Sequence, residues 1–188
     1  MAINLEKGSA INLTKTEPSL KKLRLGLGWD LLSSEPPIDI DCCVFICKYD
    51  AQEQPKLLSD QHFVFYNNLK CPQGAVEHLG DNRTGAGDGD DETITIDLQT
   101  IEPNAQELSF FVTIHNDSRG FSHVNTSYIK MYNELTGNLI AEYKLGQEFA
   151  NESAVQVGSL IKNGSEWEFH AVGAGYQLGL GDIVAGYQ

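Results

Sequence analysis

The stretch "TSYIKMYNELTGNLIAEYKL", residues 126–145, decides the fold class. In its first half, Ile129 and Met131 fall on one face, with Tyr128, Lys130 and Tyr132 on the other. A period of two belongs to a half-buried strand, because successive side chains of extended backbone point to opposite sides. The run then turns near Thr136-Gly137-Asn138 and returns through "LIAEYKL". That is the pattern of a hairpin.

Outward from this hairpin the same signals recur. "TITIDL" (93–98) alternates Thr and Ile. "DCCVFICKY" (41–49), "HFVFY" (62–66) and "LSFFVTIH" (108–115) are rich in aromatic and β-branched residues and read as buried strands. "SLIKNGSEWEFHAV" sets Asn163-Gly164 between two strand-like runs, a type I′ turn signal. Ile3-Asn-Leu-Glu-Lys7 is echoed by Ile11-Asn-Leu-Thr-Lys15, a local repeat suited to a two-stranded ribbon. Helix is scarce: "PNAQEL" (103–108) suits one turn after Pro103, and "LGDIVAGY" (180–187) another. The expectation is an all-β protein, an antiparallel β-sandwich with few short helical turns. No linker divides the chain, so residues 1–188 read as a single domain.

Lys and Arg number 13 against 26 Asp and Glu, a formal charge of −13. Such a field repels nucleic acid and anionic membrane surfaces and attracts cations. No run of roughly 18 apolar residues is present, so no direct membrane insertion is expected. "MAINLEKGSAINLTK" lacks the apolar segment of a signal peptide, and the expected location is cytoplasmic. Adjacent Cys42 and Cys43 would point to opposite faces of a strand, so all four cysteines read as reduced, packed thiols.

The acidic residues are not spread evenly. "GDNRTGAGDGDDE" (80–92) gathers Asp81, Asp88, Asp90, Asp91 and Glu92 in one glycine-rich loop, with Arg83 alone to offset them. Each like-charged pair about 4 Å apart repels by about 1 kcal/mol even in water. Such a loop is either a solvated tip or is held by a cation. "IDID" (38–41) places Asp39 and Asp41 at i and i+2, on one face of a strand, a spacing that suits two oxygens gripping one ion. Calcium takes six to eight hard oxygens in a flexible arrangement, which carboxylates among glycines supply. The register of an EF-hand is absent. Asn67 and Asn68 can complete a site through amide oxygens or can equally cap a turn.

Other chemistries find little support. No GxSxG, Walker A or HExxH pattern occurs, and Asp88, Asp90 and Asp91 would repel a phosphate from Gly85-x-Gly87-x-Gly89. His62, His78, His115, His123 and His170 are scattered without ligand spacing and read as ordinary strand or surface residues. The spacing of Cys42, Cys43 and Cys47 is not one that zinc uses.

"LGLGWD" (25–30), "IDID" (38–41), "FVFYNNLKCPQGAVEHLGDNRTGAGDGDDE" (63–92) and "FFVTIHN" (110–116) resemble the TerD family of tellurium-resistance and stress-response proteins. So do the N-terminal "INLEKG" and the late "EWEFHAVGAGY" (166–176), and the resemblance runs in order over nearly the whole chain. It implies a β-sandwich that binds Ca2+ through acidic loops at one edge, with no established catalysis. Asp39 and Asp41 match the family's paired aspartates. Asp81, Asn82, Asp88, Asp90, Asp91 and Glu92 match its glycine-acid loop, and Asn67 and Asn68 its double asparagine. Ala86 departs from the usual Glu, and Asn116 from the usual Asp, with Asp117 following. The implied function is non-enzymatic calcium binding in a stress response, exerted through partner proteins of a tellurite-resistance system near the membrane's cytoplasmic side. The alternative is a metal-dependent hydrolase using the ion as Lewis acid, for which the sequence offers no evident base. A minor third reading has the cysteines bind or reduce tellurite.

Overall fold

The computed structural model describes residues 2–31, 38–80, 89–115 and 120–188. Asp81, Asn82, Ala86, Asp88, Asn116 and Asp117 lie outside the described residues. Strands β1 (Ile3–Leu5) and β2 (Ala10–Asn12) precede one helical turn, α1 (Leu13–Thr16). The long strands β3 (Lys22–Leu31) and β4 (Ile40–Tyr49) come next, then short β5 (Pro55–Leu57), β6 (Phe63–Val64) and β7 (Val76–His78). β8 (Glu92–Asp97), β9 (Glu107–Ile114), β10 (Val124–Asn133) and β11 (Leu139–Leu145) follow. The chain closes with β12 (Ala154–Asn163), β13 (Glu166–His170), β14 (Ala174–Tyr176) and helix α2 (Leu180–Tyr187).

The strands form two sheets, ordered β1-β11-β10-β3-β8-β7 and β2-β13-β12-β9-β4-β5, with β6 on β4 and β14 on β12. Among the described residues all the strand pairs are antiparallel except β1 with β11. Ile129 and Met131 turn inward beside Leu25, Leu27, Ile94 and Ile96, and meet Ile40, Val44, Ile46, Phe110 and Val112 of the other sheet. The antiparallel sandwich expected from the alternation is the fold found.

β4 shows no alternation because both its faces are covered. Its odd-numbered residues Cys43, Phe45 and Cys47 lie on the outer face of the sheet, beside Phe63 of β6 and Phe111 of β9 and under Ile183 of α2. Phe45 stacks on Phe63 at 4.5 Å and on Tyr187 at 4.4 Å. Lys56 Nζ donates to the carbonyls of Gly186 and Gln188, each at 2.9 Å, and fastens the end of α2. Each aromatic ring buried there contributes about 1.5–3 kcal/mol.

Four local expectations change. The Ile3 and Ile11 repeats do not form a ribbon, since β1 joins β11 in one sheet and β2 joins β13 in the other. Long-range pairing outweighs the local repeat. Asn163 pairs with Glu166, so Gly164-Ser165 is the turn, with positive φ at Gly164 and not at Ser165. That is the type II′ pattern, because type I′ needs positive φ at both positions. "PNAQEL" makes a hydrogen-bonded turn from Glu102 to Ala105 and then enters β9 without a helix. "HFVFY" is strand only at Phe63–Val64, since His62 ends a 3-10 turn and Phe65 starts a tight one.

Candidate metal centre

Asp39 and Asp41 lie at the start of β4 on the outer face of its sheet, the face that also carries Cys43. Asp41 is only 2% exposed, and its Oδ2 stands 3.3 Å from His115 Nδ1. The His115 amide donates to the Asp39 carbonyl at 2.9 Å and prolongs the β4–β9 ladder by one bond. The His115 ring meets Tyr66 edge-on at 5.1 Å. Tyr66 and Asn67 form a two-residue turn closed by reciprocal bonds between Phe65 and Asn68. Tyr66, Thr113, His115 and Glu152 line a hollow of about 720 Å³ here. Asn67 is exposed at the turn. The Asn68 side-chain amide donates to the carbonyls of Phe63 and Gln61, at 2.7 and 3.2 Å, and serves as a turn cap.

Glu92, at the start of β8, points into the sandwich like Ile94 and Ile96. Its Oε2 accepts the Cys42 N–H at 2.6 Å. The reason lies in strand parity. The carbonyls of Asp39 and Cys47 bond toward β9, so the Cys42 amide points to the opposite edge of β4. On that edge, among the described residues, β6 pairs only with Val44 and Phe45. A carboxylate from the other sheet therefore supplies the acceptor that a paired strand would offer. His78, ending β7, sets Nε2 3.4 Å from Glu92 Oε2 and 3.6 Å from Cys42 Sγ. The Gly80 N–H donates to His78 Nδ1 at 3.2 Å, which leaves the ring proton on Nε2. Glu92 is 1% exposed, and among the described residues its Oε1 makes no hydrogen bond.

Asp91 and Asp90 take different directions. Asp91 Oδ2 accepts the Trp29 N–H at 2.9 Å, while its own N–H donates to Leu27 at 2.7 Å. Burial pushes the Asp91 carboxyl above its ordinary pKa, and the charges of Asp30, Asp90 and Glu92 add to the rise. Asp90 lies on the outer face of the six-stranded sheet, on the far side of the sandwich from Asp41. There its Oδ2 accepts from Arg24 Nη1 at 2.8 Å, and it fills the space over Gly26 where any Cβ would collide with it. Arg24 also pairs with Glu134 at 3.0 Å and stacks 3.9 Å over the Tyr132 ring.

A family model for the TerD domain matches residues 1–187. The chain belongs to the TerD family. It is 39% identical over 190 residues to general stress protein 16U of Bacillus subtilis (strain 168), across 100% of this chain and 97% of that protein. It is 38% identical over 191 residues to the tellurium resistance protein TerD of Alcaligenes sp, with the same two coverages. A solved Streptomyces coelicolor A3(2) homologue of the telluride resistance protein TerD shares the fold. Its TM-score is 0.68 at 23% identity, over 88% of this chain and 96% of that one. The family is thus one of tellurium resistance and stress response. Among the described residues of this TerD-family chain, no helix is long and apolar enough to cross a membrane.

Within this TerD-family chain the motif acids separate into groups. Asp41 and Glu92 approach the Cys42–Cys43 segment from different sides, and both raise the Cys43 thiol pKa, after the larger effect of burial. Asp91 feels the charges of Asp30, Asp90 and Glu92. Asp90 and Asn68 are engaged elsewhere, by Arg24 and by backbone carbonyls. The acids at this end of the sandwich offer hard carboxylate oxygens, which fit calcium, beside the Cys42 thiol and the His78 imidazole. His78 and His115 carried no signal as site residues in the sequence, because only the pairing of distant strands brings them to the acids; Asp30 stood there only as the end of "LGLGWD".

Proposed function

We propose that this TerD-family protein is a cytoplasmic, non-enzymatic calcium-binding stress protein. It acts through partner proteins of a tellurite-resistance system at the membrane's cytoplasmic side. Its calcium ligands are drawn from Asp39, Asp41, Asp91 and Glu92, with Asn67 and the loop residues Asp81, Asn82 and Asp88 as further donors. Glu92 carries the reading. A buried carboxylate costs several kcal/mol unless a charge compensates it, and one of its oxygens makes no hydrogen bond among the described residues. The neighbouring His78 presents an N–H rather than a metal's charge. A divalent ion supplies what is missing, and the glycine-rich loop favours calcium over the small octahedral shell of magnesium.

Calorimetric titration of chelator-treated protein tests this. Calcium should bind at least tenfold tighter than magnesium, and Asp41→Asn should weaken it by an order of magnitude. Asp97→Asn, on β8 outside the cluster, should leave binding unchanged. Equal losses in both variants would reduce the site to a diffuse charge effect. The hydrolase alternative has one observation in its favour, His115 beside Asp41 on the wall of the hollow. Calcium-dependent cleavage of a chromogenic phosphodiester, lost in His115→Ala, would establish it instead.

A further inference from the structure

The structure assigns a second metal site, for a zinc-like ion, to Cys42, His78 and Glu92. The three side chains come from β4, β7 and β8, and one donor atom from each lies within 4.8 Å of the others. Tetrahedral zinc with bonds of about 2.3 Å to sulfur and about 2.0 Å to nitrogen and oxygen requires separations of about 3.5 Å for S···N and about 3.3 Å for N···O. Here Cys42 Sγ and His78 Nε2 are 3.6 Å apart, and His78 Nε2 and Glu92 Oε2 are 3.4 Å apart. Two of the three donor separations thus already match those of one small ion, with His78 Nε2 common to both.

Charge and donor type point the same way. One thiolate and one carboxylate sum to −2, so a divalent ion makes the buried cluster neutral. Thiolate and imidazole are donors that zinc prefers, whereas calcium takes hard oxygens. The second oxygen of the same carboxylate spans too small an angle to be another tetrahedral vertex, so a water takes the fourth position, as in zinc sites with three protein ligands. Ion binding releases the Cys42 thiol proton to solvent, and the imidazole proton moves from Nε2 to Nδ1. His78 Nδ1 then cannot accept from Gly80, so that bond at the start of the acidic loop is given up. Zinc and calcium also share Glu92. Occupation of the inner site therefore weakens calcium binding at the outer one.

The site does not depend on the calcium reading, since Cys42 and His78 are not calcium donors. Cobalt(II) is the probe, added to the full-length, reduced, chelator-treated protein. One equivalent should give the near-ultraviolet thiolate-to-cobalt absorption and the strong visible bands of a four-coordinate ion, and zinc should abolish both. Cys42→Ala should remove the near-ultraviolet band. Cys43→Ala, altering the adjacent thiol on the opposite face, should retain it. If Cys42→Ala fails to fold, Cys42→Ser, checked by near-ultraviolet circular dichroism, takes its place. No thiolate band in the wild type, or equal loss in Cys43→Ala, would overturn the assignment. A cobalt band without calcium binding would leave this site standing and remove the calcium one.

Discussion

Glu92 Oε2 lies 2.6 Å from the Cys42 amide nitrogen, so a side chain of one sheet completes the hydrogen bonding of a strand in the other. Glu92→Ala leaves that N–H buried without an acceptor, at a cost of about 2 kcal/mol. In a domain of this size each kcal/mol lowers Tm by about 2–4 °C. Glu92→Gln keeps an acceptor in place and should lose less than half as much stability in metal-free protein. Urea denaturation in chelator decides. Equal losses would mean that the charge, not the acceptor, supports β4.

Asp90 and Gly26 form a coupled pair. Gly26→Ala drives a methyl group into the Asp90 carboxylate and should cost about 1–3 kcal/mol by overpacking. Asp90→Gly in the same chain should recover part of that loss, a coupling that distant sites do not show. Because Arg24 already holds Asp90, Asp90→Asn alone should change calcium affinity less than threefold, against tenfold or more for Asp41→Asn. A calorimetric comparison of the two variants tests which acids serve the ion.

The cysteines should be inert in the native protein. All four are buried and free. Burial pushes the thiols of Cys42, Cys43 and Cys47 up, and the charges of Glu92, Asp41 and Glu107 push them further. The thiolate is the reactive form, so iodoacetamide at pH 8 should label these three only after unfolding. Rapid labelling of Cys42 or Cys43 in folded protein would revive direct thiol chemistry with tellurite.

Asp91 gives a pH dependence of known sign. Its folded pKa is raised, so the native state holds this proton more tightly than the unfolded one. That stabilisation is complete below the ordinary carboxylate range and is lost as pH rises through the folded pKa. Metal-free Asp91→Asn should therefore gain stability relative to wild type as pH rises through that window. Tm of the two proteins in chelator across pH 3.5 to 6.5 checks it, and parallel curves would contradict it.

Much of this was legible in the residues. The alternation of Ile129 and Met131 against Tyr128, Lys130 and Tyr132 marked a strand with one buried face. The unbroken apolar run of β4 marked one buried on both, and Asp39 and Asp41 were readable as neighbours on one face. The Gly164 turn was legible in place but not in type, because its register depends on where Asn163 finds its partner. The Ile3 and Ile11 repeats looked alike locally and parted into different sheets.

By itself the sequence determined strand periodicity, the class of donors and the accumulation of negative charge. These follow from the order of side chains along an extended backbone, which alternates faces whatever lies beside it. Only the tertiary structure decided which partner each acid meets. Glu92 reaches Cys42 where, among the described residues, β6 does not extend along β4, and Asp90 goes to Arg24 because Gly26 leaves room for it. Such choices depend on strands far apart in the chain, whose pairing is set by burying both sheets against each other.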